Sequence, residues 1–199
     1  MNHQIIEGCR SSFMERPSNR SFKRRGNRIT LAQETALTKN WATYGIPEET
    51  AINPREHFPN AKRLVMEIGT GMGEATALIA RDFPDDGFFA VELHKPGLGA
   101  LLARMGEYGI SNIRLVEEDA RVLLQYFFPK GELDAVHLYF LTRGPRINIG
   151  NGGSFKKILL SWLRAHLRVA ATSISLPIGF LTQNGLPKNL RHHLHLLAE

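Results

Sequence analysis

The stretch from residue 64 to residue 82 constrains this chain most. Leu64-Val65-Met66-Glu67-Ile68 is a short apolar run that follows Lys62-Arg63 and ends at Gly69. Such a run reads as a buried strand. Residues 70–73 are a glycine-rich turn, and residues 74–82 then place Ala75, Leu78 and Ile79 on one helical face. The same unit recurs downstream. Phe88-Phe89-Ala90-Val91 is a second strand, preceded by the turn Pro84-Asp85-Asp86-Gly87. Pro96 suits a first helical turn, residues 98–108 keep a helical period through Leu101, Leu102 and Met105, and Gly109 is the stop. Asn112-Ile113-Arg114-Leu115-Val116 is a third strand, residues 121–127 a short helix, and residues 133–140 a fourth strand. Strands alternating with helices imply an α/β fold with a parallel sheet and right-handed crossovers.

Length and composition leave room for this. The chain has 199 residues, of which 43% are apolar and 22% charged. That suits one ordinary globular domain with a real core. No apolar run reaches the roughly 18 residues of a membrane span. Residues 1–28 are polar and basic without an apolar segment, so no secretory signal is expected. Cys9 is the single cysteine, which excludes an internal disulfide and any cysteine-rich metal site. The expected compartment is the cytoplasm, with no membrane and no metal.

Charge divides the chain into three. Residues 1–31 hold seven Lys/Arg and two acids, residues 32–140 ten and sixteen, and residues 141–199 eight and one, Glu199. Basic ends around an acidic middle suit a polyanion partner, most simply nucleic acid; a solvated basic tail gives the same pattern. Residues 141–198 contain no Asp or Glu at all. Average usage would place about seven acids there.

Three acids fall near the ends of the first three strands: Glu67, Glu92 and Asp119, 25 and 27 residues apart. Ligands of open parallel sheets bind beyond the carboxyl ends of the strands. Between the first two acids lies Gly69-Thr70-Gly71-Met72-Gly73, where glycines allow close approach of a ligand to backbone N–H groups. Glu92 can accept both hydroxyls of a ribose, since a carboxylate has two acceptor oxygens. Asp119 can meet the edge or exocyclic amine of an adenine. Singly, each acid is equally a solvated side chain or a helix cap. Together they point to a nucleoside cofactor. The dinucleotide fingerprint needs Gly-x-Gly-x-x-Gly, whereas here the third glycine, Gly73, comes one place early. Glu67 would also oppose a pyrophosphate. S-adenosyl-L-methionine carries no phosphate and is cationic at its sulfonium and ammonium groups, so it suits these acids better than NAD.

Residues 20–140 resemble the bacterial tRNA (guanine-N7)-methyltransferases. The matching pieces are Arg20-Ser21-Phe22-Lys23-Arg24-Arg25, Arg28-Ile29-Thr30, Gln33-Glu34, residues 66–73, Val91-Glu92-Leu93-His94-Lys95-Pro96-Gly97 and Glu118-Asp119-Ala120. The resemblance implies a Rossmann-like class I methyltransferase fold that uses S-adenosyl-L-methionine. It implies cofactor contacts at Glu67, Glu92, Asp119, Gly69 and Gly71. It also implies that Arg20, Lys23, Arg24, Arg25 and Arg28 lie near tRNA.

After Phe140 the resemblance stops. The family continues with Phe-Pro-Asp-Pro-Trp-x-Lys, whose Asp is held to act at the methyl-transfer site, and later with Ala-Thr-Asp-Trp. Here the chain reads Leu141-Thr142-Arg143-Gly144-Pro145-Arg146, and no Asp follows Asp134. With one base restored near Phe140 and permitted codons chosen, those six residues can read Pro-Asp-Pro-Trp-Pro-Lys. Residues 150–155 can then read Trp-Lys-Arg-Arg-Phe, and residues 175–179 can read through Ala-Thr-Asp-Trp. The expectation is therefore a basic arm at 1–31, a cofactor-binding core at 32–140 and a frameshifted, non-native tail at 141–199. The sheet is expected to be incomplete at its C-terminal strands, with a bare edge and poor stability if it ends at the fourth. In such a tail the amphipathic run 156–169, His192, His193 and His195, and Trp162 and Phe180 are expected to be accidental. No catalytic residue is assigned, because the family's Asp is missing.

Two functions follow as expectations. One is methyl transfer to guanine N7 of tRNA, impaired in this chain. The other is a catalytically dead cofactor- or RNA-binding remnant. A nicotinamide-linked oxidoreductase is a distant third.

Overall fold

A computed structural model describes residues 28–138, 161, 165–167 and 173–175. The elements are α1 (Leu31–Tyr44), β1 (Gly45–Ile46), α2 (Pro54–His57), β2 (Leu64–Ile68), α3 (Glu74–Asp82), β3 (Gly87–Val91) and α4 (Lys95–Tyr108). They continue with β4 (Ile113–Val116), α5 (Ala120–Val122), a π-helical turn (Leu123–Phe127), β5 (Ala135–His137) and β6 (Ser173–Ser175). The expected fold class holds: one parallel sheet with the order β1-β4-β3-β2-β5-β6 and helices between its strands. The chain moves outward from β2 through β3 and β4, then returns to the opposite side of β2 as β5. That reversal places a topological switch point beside β2, where open sheets bind ligands.

Both faces of the sheet are covered, which explains why its strands read as continuous apolar runs. Val65, Phe88, Ala90, Ile113, Leu115 and Ala135 face α3 and α4, where Ala77, Ala80, Leu98, Leu101 and Leu102 are buried. Met66, Phe89, Val91, Val116 and Val136 form the other core with Phe58, Leu123, Leu124 and Phe128. Phe89 meets the edges of Phe58 and Phe128 at 5.2 and 5.3 Å between ring centres. Register at the start of β5 is pinned by Asp134, whose carboxylate accepts from Leu64 N–H at 2.7 Å while its own N–H donates to the Leu64 carbonyl at 2.8 Å.

Several boundaries differ from the sequence expectation. Helix α4 begins at Lys95 rather than residue 98, so Pro96, Gly97 and Leu98 all belong to its first turn. The helix expected at 121–127 is a short α-turn that widens into a π-turn. Of the strand expected at 133–140, the described residues are regular over Ala135–His137. The edge of β5, expected to be bare if the sheet ended there, pairs with Ser173–Ser175, and Leu133 bridges Leu167. His166 is buried there, its Nε2 3.2 Å from the Phe128 carbonyl oxygen.

Helix α1 and strand β1 had no counterpart in the expectation. Thr30 caps α1 with a complete capping box, its hydroxyl accepting from Gln33 N–H and its N–H donating to the Gln33 side chain. Only Ala36 of α1 is buried, so the helix shows little apolar periodicity. β1 is two residues long, too short for any alternation to register.

Candidate functional site

The site is built where β2 ends. Gly69, Gly71 and Gly73 all adopt left-handed backbone, at φ 76°, 58° and 73°. Side-chain-bearing residues pay a steric penalty in this region, so a turn with three such residues is open to glycine above all. The turn is also tightly packed on one side. A Cβ on Gly73 would sit 2.6 Å from Leu101 Cβ, and one on Gly97 would sit 2.2 Å from the Gly71 carbonyl oxygen. The first turn of α4 therefore rests directly on the glycine turn. On the other side the turn is open: a Cβ on Gly69 or Gly71 would meet nothing within 4 Å.

Glu92, just past β3, ties the two strand ends together. One carboxylate oxygen accepts from Gly71 N–H at 2.9 Å. The other accepts from Leu93 N–H at 2.8 Å and His94 N–H at 2.9 Å. Three backbone donors thus fix one carboxylate at the mouth of the turn. Gly71 and Glu92, both expected among the cofactor contacts, are brought together by this hydrogen bond.

Glu67 is buried, and burial pushes its carboxyl up to about 7. The Thr76 hydroxyl on α3 pulls weakly the other way, although it makes no hydrogen bond of standard geometry. Thr70 Oγ1 is likewise buried without a partner. Two buried hydroxyls without a hydrogen-bond partner are costly unless something else satisfies them. His137 on β5 pairs in register with Glu67 and is also buried.

Asp119 takes the role that its sequence position left open. It caps α5, one oxygen accepting from Arg121 N–H at 2.9 Å, and its other oxygen lies 3.1 Å from the Arg121 guanidinium. Glu118 next to it is almost fully buried. Its oxygens accept from Asp119 N–H at 2.8 Å and Glu49 N–H at 3.0 Å. The sequence reading missed Glu118, His137 and both threonines. A run of Glu-Glu-Asp hides which acid is buried, and His137 sits at an ordinary position of a buried strand.

Arg28 is exposed. Arg20, Lys23, Arg24 and Arg25, Cys9, Trp162, Phe180, the histidines at 192, 193 and 195, and the run 156–169 apart from residues 161 and 165–167 lie outside the described residues. Among the described residues no cluster of His, Cys, Asp and Glu is arranged to hold a metal, and no helix is long and apolar enough to cross a membrane. Two shallow hollows lie away from the site. One, of about 240 Å³, runs between α1 and α4 beside Tyr44 and Met105, and another lies around Phe83 and Pro84.

A parallel sheet with its switch point beside β2, a left-handed glycine turn there and an acid holding that turn from the next strand define a Rossmann-like α/β core with a candidate cofactor site. Residues 61–141 match the family described as "Putative methyltransferase". It is 41% identical over 128 residues to a tRNA (guanine-N(7)-)-methyltransferase of Streptomyces avermitilis, covering 64% of this chain and 44% of that protein. Proteins of the same name from Acidovorax sp. and Saccharophagus degradans are 43% and 40% identical, over 61% and 63% of this chain and 49% and 56% of theirs. The chain spans about half the length of the curated relatives it matches.

Proposed function

We propose that residues 32–140 are the S-adenosyl-L-methionine-binding core of a tRNA (guanine-N7)-methyltransferase, with residues 1–31 a basic arm toward tRNA. One observation carries the reading: the left-handed Gly71 amide is held by the Glu92 carboxylate, beside an open face of the turn. The residues fit the cofactor. Gly69 and Gly71 leave room in front of the backbone, Thr70 offers a buried unpartnered hydroxyl, and Glu67, Glu92 and Asp119 surround a cationic ligand with acids. S-adenosyl-L-methionine, when bound, supplies an electrophilic methyl group.

The chain's own contribution is positioning. Guanine N7 has a lone pair and no proton, so no general base is required. Holding the two reactants in line and matching the developing charge supply the rate. Glu92 is pre-set for this by its three backbone donors, which leave its remaining lone pairs for a ribose. Asp119, locked by Arg121, presents an acceptor to the adenine.

The second reading, a catalytically dead remnant that still binds cofactor or RNA, is favoured by the absence of any Asp after residue 134. We assign residues 141–199 to a frameshifted tail, which explains that absence. Calorimetric titration with S-adenosyl-L-methionine and a methyl-transfer assay on tRNA separate the readings. Binding with at most trace transfer is expected. Robust transfer overturns the impairment, and no binding overturns the cofactor assignment. Genomic reads across codons 139–199 test the tail: the motif Pro-Asp-Pro-Trp should stand in the neighbouring frame.

A further inference from the structure

We infer that Glu118 is a positioning residue that joins the Glu49 turn and the Asp119 backbone into one wall, and that this wall selects the purine of the cofactor. The inference rests on the methyl-donor reading above and goes beyond it to a residue that does not itself touch the ligand.

The observations lie at the carboxyl end of β4. Ile46 pairs with Val116, and its carbonyl accepts from Glu117 N–H at 3.0 Å. The chain then arches back, and Ile52 N–H donates to the Phe127 carbonyl at 2.8 Å. At the crest of this arch Glu49 has φ 61°, and among the described residues it is the one non-glycine at positive φ. Strain of that kind persists where the surroundings enforce it, and it concentrates at ligand-facing segments. Here Glu118 does the enforcing. Its side chain is 3% exposed, and its two oxygens take one amide from each side, Glu49 and Asp119, residues separated by 70 positions.

The consequence falls on Asp119. Its N–H is committed to Glu118 and its carboxylate to the start of α5 and to Arg121. Both its backbone and its side chain are therefore fixed, and its carboxylate keeps one direction. A fixed acceptor favours the 6-amino group of adenine, a donor, and rejects a 6-oxo group, an acceptor. Discrimination of this polar kind is steeper than any that shape alone provides.

The test compares S-adenosylhomocysteine with S-inosylhomocysteine by calorimetric titration into the full chain. Wild type is expected to prefer the adenosyl ligand. Glu118→Gln keeps the size but has one acceptor for two amides, and it should shrink that preference about tenfold. Glu118→Asp keeps the charge but is too short to span both amides, and it should act in the same direction if the Gln chain does not fold. A role confined to stability would lower the melting temperature and weaken both ligands equally. An unchanged ratio in either folded Glu118 variant therefore overturns the inference. If wild type binds neither ligand, the cofactor reading falls instead, and the two failures are distinct.

Discussion

Glu67 on β2 and His137 on β5 stand opposite each other in register, both buried, on the face of the sheet that packs against α3 and α4. Burial places the Glu67 carboxyl in a site that disfavours its charge. Its pKa rises from an ordinary 4.5 to about 7 through burial. Between those values the folded chain binds more protons than the unfolded chain, so stability falls as pH rises. The slope from this group is at most about 1.4 kcal/mol per pH unit. Glu67→Gln removes it. In urea melts the stability difference between the variant and wild type should shift by about 2 kcal/mol in the variant's favour from pH 5 to pH 8. His137 is common to both chains, so the difference isolates Glu67. Parallel pH profiles would refute the assignment.

The same carboxyl makes cofactor binding pH-dependent. A cationic ligand favours ionised Glu67, and the ionised fraction grows about tenfold between pH 6 and pH 8 when the pKa is near 7. Affinity for S-adenosyl-L-methionine should rise by up to that factor in wild type and should stay flatter in Glu67→Gln. Calorimetric titration of the two chains at three pH values checks this.

Much of this frame was legible in the sequence. β2 over Leu64–Ile68 and α3 over Glu74–Asp82 fall on the residues expected, because an unbroken apolar run and a 3.6-residue period each leave few alternatives. The glycine turn and Glu92 were legible for the same reason: both lie at element ends fixed by strong signals. The rest was hidden by physics that spacing does not carry. Helix α1 is held by a capping box and by α4 rather than by an apolar stripe of its own. The π-turn at Leu123–Phe127 follows from Phe128 N–H reaching back to the Leu123 carbonyl at 2.9 Å, a choice made by packing. Glu118 differs from Glu117 only in what surrounds it: Glu117 pairs with exposed Lys95 at 3.3 Å, whereas Glu118 turns inward.

The glycine turn should tolerate substitution unequally. Gly97→Ala forces a methyl group into the Gly71 carbonyl, and overpacking of this kind costs about 1–3 kcal/mol. Gly71→Ala meets no neighbour and pays for its left-handed backbone alone, about 1–2 kcal/mol. Gly97→Ala should therefore have the lower melting temperature. Because it displaces the amide that Glu92 holds, it should also lose cofactor affinity. Equal melting temperatures would show that α4 can withdraw from the turn.

Asn112 supports a prediction remote from the site. Its side-chain NH₂ lies 3.0, 3.0 and 2.9 Å from the carbonyl oxygens of Ala80, Phe83 and Asp86, closing α3 onto the turn before β3. Asn112→Ala orphans these carbonyls and should cost about 1–3 kcal/mol. Asn112→Asp aims a carboxylate at three acceptors and should be worse than alanine in denaturant melts at pH 7. The reverse order would mean that water replaces the amide there.

The switch point beside β2 also partitions inheritance. The chain crosses from one flank of β2 to the other between β4 and β5, and every described residue of β1, β3 and β4 precedes that crossing. The flank that carries the glycine turn's carboxylate partner and the Asp119 wall is thus complete before the opposite flank begins. Changes in the two flanks meet along β2, where it pairs with β5, and in the core that Phe89 and Val116 share with Val136. A lesion downstream of β5 leaves the upstream flank readable, because β1 to β4 and the exposed Pro129-Lys130 turn all precede it.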